Sequence, residues 1–181
     1  MVDTSKRRLT LLQQDILRLL FLRYGEALNQ RAIAKKIGVS ATAVMKSLPE
    51  LQKQKLIVVK KDEESKRLSI ELNGENNFVF QLKRVENLKL IYESGLSNYL
   101  ENNFLGATII LFGSYSRGED TIKSDIDIAV IGRKEKKIPL EKFENELQRE
   151  IVINFYESFQ KIEEKLKNNI LNGIILSGSV Q

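Results

Sequence analysis

Between residues 107 and 132 the chain reads ATIILFGSYSRGEDTIKSDIDIAVIG. Two almost continuous apolar runs, ATIILF and DIDIAVIG, are parted by a connection of Gly, Ser and charged residues. Apolar runs this short, bounded by turn residues, are strands of a buried sheet, and such a sheet needs helices packed on it. The downstream sequence supplies them. PLEKFENELQR (139–149) and SFQKIEEKLKNNIL (158–171) have helical spacing, EIVINFYE (150–157) reads as a third strand and GIIL (173–176) as a short last one. This half is expected to be a small mixed-sheet α/β domain.

Asp125 and Asp127 alternate with Ile126 and Ile128 in the second run. Residues i and i+2 of a strand share a face, so the carboxylates point one way, roughly 7 Å apart, and the isoleucines face the core. Two like charges side by side repel, and partial burial raises the cost. A divalent cation between them removes it; the alternative is a pair in full solvent. Upstream, Phe112-Gly113-Ser114 directly follows the first strand. A glycine there lets the backbone turn and an anion approach its N–H groups. Ser114 adds a hydroxyl, and Arg117 and Lys123 on the same connection offset phosphate charge. An anion cradle and a dication pair within one unit describe a metal-bound triphosphate.

The chain has no Cys and no His, which excludes disulfides, zinc fingers, thiol nucleophiles and imidazole bases. A metal must then be held by oxygen, which points to Mg²⁺ or Mn²⁺. Absence of disulfides fits a cytoplasmic protein. No apolar run approaches the roughly 20 residues of a membrane span, and the polar start MVDTSKRRLT has no signal core, so neither a membrane partner nor export is expected.

The first part of the chain has another pattern. Residues 9–24 read as a helix with Leu11, Leu12, Ile16, Leu19 and Leu20 as its stripe, ended by Gly25. Asn29 caps a second helix closed by Gly38, and Ser40 caps a third with Val44, Leu48 and Leu51 on one face, kinked or limited by Pro49. LIVVKK and RLSIEL, joined by DEES, read as a hairpin. Three helices and a hairpin make a winged helix-turn-helix. The third helix would offer Thr42, Lys46 and Ser47 to the major groove, and the wing Lys60, Lys61, Lys66 and Arg67 to phosphates. Residues 1–75 hold 15 Lys/Arg against 9 Asp/Glu, whereas residues 76–181 hold 14 against 15, so the basic charge belongs to this part and suggests a polyanion partner, DNA. The other reading is a small helical domain that binds protein. Residues 82–104 read as one amphipathic helix with Val85, Leu88, Ile91, Tyr92, Leu96, Tyr99 and Leu100 as its stripe. The expected organisation is thus a winged-helix domain at 1–76, a connector helix at 77–104 and the α/β domain at 105–181.

Phe112-Gly113-Ser114, ten residues, then Asp125-Ile126-Asp127-Ile128 resembles the signature of the polymerase-beta-type nucleotidyltransferase superfamily, in its minimal nucleotidyltransferase branch. The whole chain is similar to a microbial family in which a winged helix precedes such a domain. The resemblance implies that Gly113, Ser114, Arg117 and Ser124 bind nucleotide, and that Asp125 and Asp127 are the catalytic acids and hold Mg²⁺ or Mn²⁺ for in-line attack on the α-phosphorus. It also implies a third carboxylate on the next strand. That position falls on Val152 or Asn154, depending on register; neither ionises, although Asn154 offers a carbonyl oxygen to a metal. Glu150 shares their face as a substitute.

Three functions are consistent with these residues. One is a DNA-binding protein that binds Mg–NTP and transfers a nucleotidyl group to a macromolecular acceptor, an RNA or a partner protein, as a magnesium-dependent nucleotidyltransferase of weak or lost activity. The second is a transcriptional regulator whose degenerate domain senses nucleotide. The third is a toxin–antitoxin component. A homodimer reading paired half-sites is expected.

Overall fold

The computed structural model describes residues 9–61 and 68–180. They fall into two compact units, one ending at Val79 and the other beginning at Phe80.

The first unit has α1 (Leu11–Leu22), α2 (Gln30–Ile37), α3 (Ala41–Lys53), β1 (Ile57–Lys61) and β2 (Leu68–Leu72). Each helix begins where a side chain accepts an otherwise unpaired N–H. Thr10 and Gln13 form a reciprocal capping box, Asn29 accepts from Ala32 N at 2.9 Å, and Ser40 accepts from Ala43 N at 3.1 Å. Ile16, Leu20, Ile33, Val44, Leu48, Leu51, Leu56 and Ile70 form the core. Leu11, expected in the stripe of α1, is instead 80% exposed; the buried face is carried by Leu17 and Phe21 with Ile16 and Leu20. Pro49 lies inside α3 on its exposed side, and the helix continues to Lys53. β1 and β2 pair antiparallel from Ile57↔Leu72 to Lys61↔Leu68. Leu28 joins the hairpin through two backbone hydrogen bonds to Ile70, which fixes the wing to the segment ahead of α2. The first unit is a winged helix-turn-helix. The DEES loop, with Lys66 and Arg67, lies outside the described residues.

The expected single helix over 82–104 is two: α4 (Asn77–Glu93) and α5 (Leu96–Asn103), parted at Ser94-Gly95. Gly95 takes φ +77, a left-handed conformation that ends α4. The expected stripe also shifts. Val85 and Tyr92 are exposed, whereas Lys83, Asn87 and Ile91 form a buried i, i+4 row on α4, and Leu96 and Leu100 are buried on α5.

β3 (Thr108–Phe112), α6 (Gly113–Arg117), β4 (Ile126–Ile131), α7 (Glu141–Leu147), β5 (Ile151–Tyr156), α8 (Glu164–Leu171) and β6 (Ile174–Ser177) complete the second unit. The helix expected over 158–171 is a 3-10 turn at Phe159–Lys161 and then α8, because Ile162 is extended. The sheet order is β5-β4-β3-β6; β4 and β5 are parallel, and β3 is antiparallel to both its neighbours. One face packs Ile109, Leu111, Ile126, Ile128 and Val130 with Ile91, Leu96, Leu100 and Phe143. The other packs Ile110, Phe112, Ala129 and Ile131 with Phe159, Ile162 and Ile170. The architecture is therefore α+β: a winged helix followed by a small mixed-sheet α/β domain. Among the described residues no helix is long and apolar enough to cross a membrane.

Candidate functional site

β3 ends at Phe112, whose register partner on β4 is Asp127. The chain then turns through Gly113 at φ +72 into the single-turn helix α6, so the expected Gly-Ser turn is the start of a short helix. A Cβ at Gly113 would collide with Asp127 Oδ2 and stand 3.1 Å from its Cγ. Only glycine provides both the left-handed backbone and the space the carboxylate occupies. Ser116 Oγ donates to Gly113 O at 2.9 Å and tightens the turn. Asp127 is thus built against the 113–114 segment.

Asp127 lies on the sheet face of Ala129 and Ile131, but at its half-buried end; Asp125 precedes β4 and is exposed. Burial, and then the charge of Asp125, push the Asp127 carboxyl above its ordinary pKa, while Arg117 pulls it down. Partial burial next to a second acid thus disfavours the charged form of Asp127. Two oxygen ligands for Mg²⁺ or Mn²⁺ are local here, and the missing side chain at Gly113 makes room for one of them, the Asp127 carboxylate.

The other expected nucleotide residues are placed less uniformly. Ser114 is half-buried on α6. Arg117 is exposed and engaged by Glu119 Oε2 at 2.8 Å and Asn169 Oδ1 at 3.0 Å. Ser124 Oγ accepts from Thr121 N at 2.9 Å, so it closes the loop ahead of Asp125. An open cleft of about 440 Å³ adjoins this loop, lined by Lys123, Ser124, Asp125, Glu144, Arg149 and Glu150 among others.

The parallel register decides the third position. Val152 is the partner of Asp127, and Asn154 is the partner of Ala129, two residues further along. Asn154, offered as a metal ligand, is therefore displaced from Asp127 by roughly 7 Å along the strand. Glu150 precedes β5 and is exposed; its carbonyl accepts from Ile126 N at 2.8 Å. Among the described residues no group of three or more acids has metal-holding geometry. Tyr156 shares the face of Asn154, and burial and then the charge of Asp127 raise its phenol pKa.

One cluster was not anticipated. Asp120, 1% exposed, accepts hydrogen bonds from Lys83 Nζ and from Asn87 Nδ2 at 2.7 Å, and Arg149 Nη2 lies 3.4 Å from its other oxygen. Lys83 Nζ also donates to Asp120 O at 2.9 Å, and Asn87 Nδ2 to Tyr115 O at 2.9 Å. Burial lowers the Lys83 pKa, and Asp120 opposes that fall. Gly118, at φ +75, lets the same connection press on α4, where a Cβ would meet Phe80 O and Arg84 N. The cluster fixes the 118–125 segment, and so the approach to Asp125. Its sequence signal was the polar pair Lys83 and Asn87 at helical spacing with Ile91.

On the first unit, Thr42 and Lys46 are exposed on α3. Ser47 is not: it is 8% exposed and its hydroxyl donates to Ala43 O at 3.1 Å, so it is removed from the outward set. Lys60 and Lys61 are exposed on β1, and Lys60 Nζ donates to Glu71 Oε1 at 2.7 Å, a bond that raises its pKa.

A glycine turn is held against Asp127 at the end of a small mixed sheet, the arrangement expected of a nucleotidyltransferase-type domain. In agreement, residues 93–177 match the family described as nucleotidyltransferase domain. The chain thus joins a winged helix to a nucleotidyltransferase domain. No curated protein shows a significant match. Among solved structures, the chain is similar to MepR, a transcription regulator of the Staphylococcus aureus multidrug efflux pump MepA, at 28% identity over 37% of this chain and 49% of that one, with a TM-score of 0.33. The S. aureus MepR–DNA complex is similar at 23% identity over 52% of this chain and 78% of that one, with a TM-score of 0.39. The zinc-responsive MarR family member ZitR of Lactococcus lactis is similar at 27% identity over 55% of this chain and 64% of that one, with a TM-score of 0.38. The chain spans about half the length of the first of these. The order α1-α2-α3-β1-β2 and the Leu28–Ile70 bridge make the first unit a winged helix.

Proposed function

We propose that this is a DNA-binding protein whose nucleotidyltransferase domain binds a magnesium–nucleoside triphosphate and senses it, with transfer activity weak or lost. The observation that carries nucleotide binding is the Asp127 carboxylate seated where a Gly113 Cβ would be. Asp125 and Asp127 hold the divalent ion, which neutralises phosphate charge when bound. Gly113 gives the Asp127 carboxylate its place beside the turn, Ser114 offers a hydroxyl to the phosphates, and Arg117 supplies positive charge at the rim. The observation against efficient transfer is Val152 beside Asp127. A valine takes no proton from an acceptor hydroxyl, and general-base help is worth about 10²–10⁴-fold. Transfer to an RNA or protein acceptor would therefore be slow. Thr42 and Lys46 face the major groove, and Lys60 and Lys61 the phosphates, in a cytoplasmic homodimer that regulates transcription.

Calorimetry with Mn²⁺–ATP and the other triphosphates tests the site. Saturable heat in the wild type, lost in Asp125→Ala and Asp127→Ala, is expected, without pyrophosphate release. Absence of heat with every nucleotide ends the reading; rapid pyrophosphate release ends the sensor form of it. Val152→Asp is expected to raise pyrophosphate release by about 10²-fold or more.

A further inference from the structure

The outward face of α3 sets two apolar side chains, Met45 and Pro49, among the exposed Thr42, Lys46, Gln52 and Lys53. Thr42, Met45 and Pro49 follow one another at spacings of three and four and are all exposed, with Val39 exposed just ahead of the Ser40 cap. Met45 is 50% and Val39 36% exposed, and they are two of the three large exposed hydrophobics in the described part of this unit. Lys46 is the one cation within the row, while exposed Lys35, Lys36 and Lys53 bracket it in sequence. No Arg or Asn occurs in α3, and Gln52 sits in its last turn. Arg or Lys reads guanine and Asn or Gln reads adenine through paired hydrogen bonds, and of these the first turns of α3 carry only Lys46. What the row presents is methyl and thioether groups, whose complement on the major-groove floor is the C5-methyl group of thymine.

We propose that α3 reads thymine methyl groups, so that the preferred ligand is thymine-rich duplex DNA. This inference rests on the DNA-binding reading and gives its sequence class. The net +6 of residues 1–75 draws the duplex in without regard to sequence, and the apolar row selects among the sequences encountered. Helix-turn-helix docking brings the first turns of the recognition helix to the base edges, which is where Thr42 and Met45 lie. Each contacted methyl is worth roughly fourfold in affinity, the transfer value of one methyl-sized group.

Fluorescence anisotropy of the full chain against four duplexes of equal length tests this: alternating A·T, the same duplex with uracil replacing thymine, alternating G·C, and G·C carrying 5-methylcytosine. The A·T duplex is expected to bind several-fold more tightly than its uracil counterpart. 5-Methylcytosine, which places a methyl at the same groove position, is expected to tighten binding to G·C by a similar factor. Met45→Ser removes most of both differences, whereas Lys60→Ala, on the wing, weakens all four duplexes alike. Equal affinity for the thymine and uracil duplexes overturns the inference and leaves DNA binding intact. No binding to any duplex at low salt overturns both.

Discussion

Asp120 and Asp127 lie within one short segment, yet they are acids of opposite kinds. Asp120 is buried with Lys83, Asn87 and Arg149 around it, and its negative charge is satisfied within the fold. Asp127 is half-buried beside a second acid, has only the diluted charge of Arg117 to oppose it, and holds its proton more tightly than a free carboxylate. The first arrangement is complete as it stands. The second has no such partners among the described residues, and on the proposed function a cation would complete it. A buried acid surrounded by donors belongs to stability, whereas an acid raised by burial and then by its neighbour is a candidate for a ligand site.

The sharpest way to break this contrast is Asp120→Ala. It takes from Lys83 and Arg149 the carboxylate they share inside the protein, and about 3–5 kcal/mol of stability should be lost in urea denaturation. Asp125→Ala, on an exposed residue, should leave the midpoint nearly unchanged; comparable losses in the two variants would erase the distinction. Next comes a pair of glycines. Gly113 and Gly132 both have left-handed backbones, but a Cβ at Gly132 meets nothing within 4 Å. Alanine at Gly132 should cost about 1–2 kcal/mol of backbone strain. Alanine at Gly113 should cost more and also abolish nucleotide heat, since it displaces the Asp127 carboxylate. The smallest effect is expected from Asp127→Asn, which should raise Tm by a few degrees at neutral pH in metal-free buffer. The sign follows from the raised acid. Below the ordinary carboxylate range both folded and unfolded chains hold the proton and the variant has no advantage; the wild type then loses stability as pH rises through the folded-state pKa. Saturating Mn²⁺ should close the gap from the wild-type side only.

What the sequence disclosed was local. Asn29, Gly38 and Ser40 mark helix ends because each acts on backbone groups within four residues of itself. Asp125, Asp127 and Gly113 were visible because a turn and an alternating run carry their own geometry. The break at Gly95 was masked because Ile91, Leu96 and Leu100 keep an apolar rhythm across it. Ser47 was misplaced by a fraction of a helical turn, which suffices to move a hydroxyl from groove to core. The Lys83–Asp120 pair, 37 residues apart, and the alignment of Val152 with Asp127 depend on how distant segments meet, and no local pattern encodes that.

The alignment of β4 with β5 has a consequence for the ancestry of such chains. Valine and aspartate codons can differ at the middle base alone. Because Val152 already stands beside Asp127 on a parallel strand, no insertion, slippage or rebuilding separates this domain from one bearing three acids. On the proposed function, a single nucleotide change would be enough to place a third carboxylate beside Asp127.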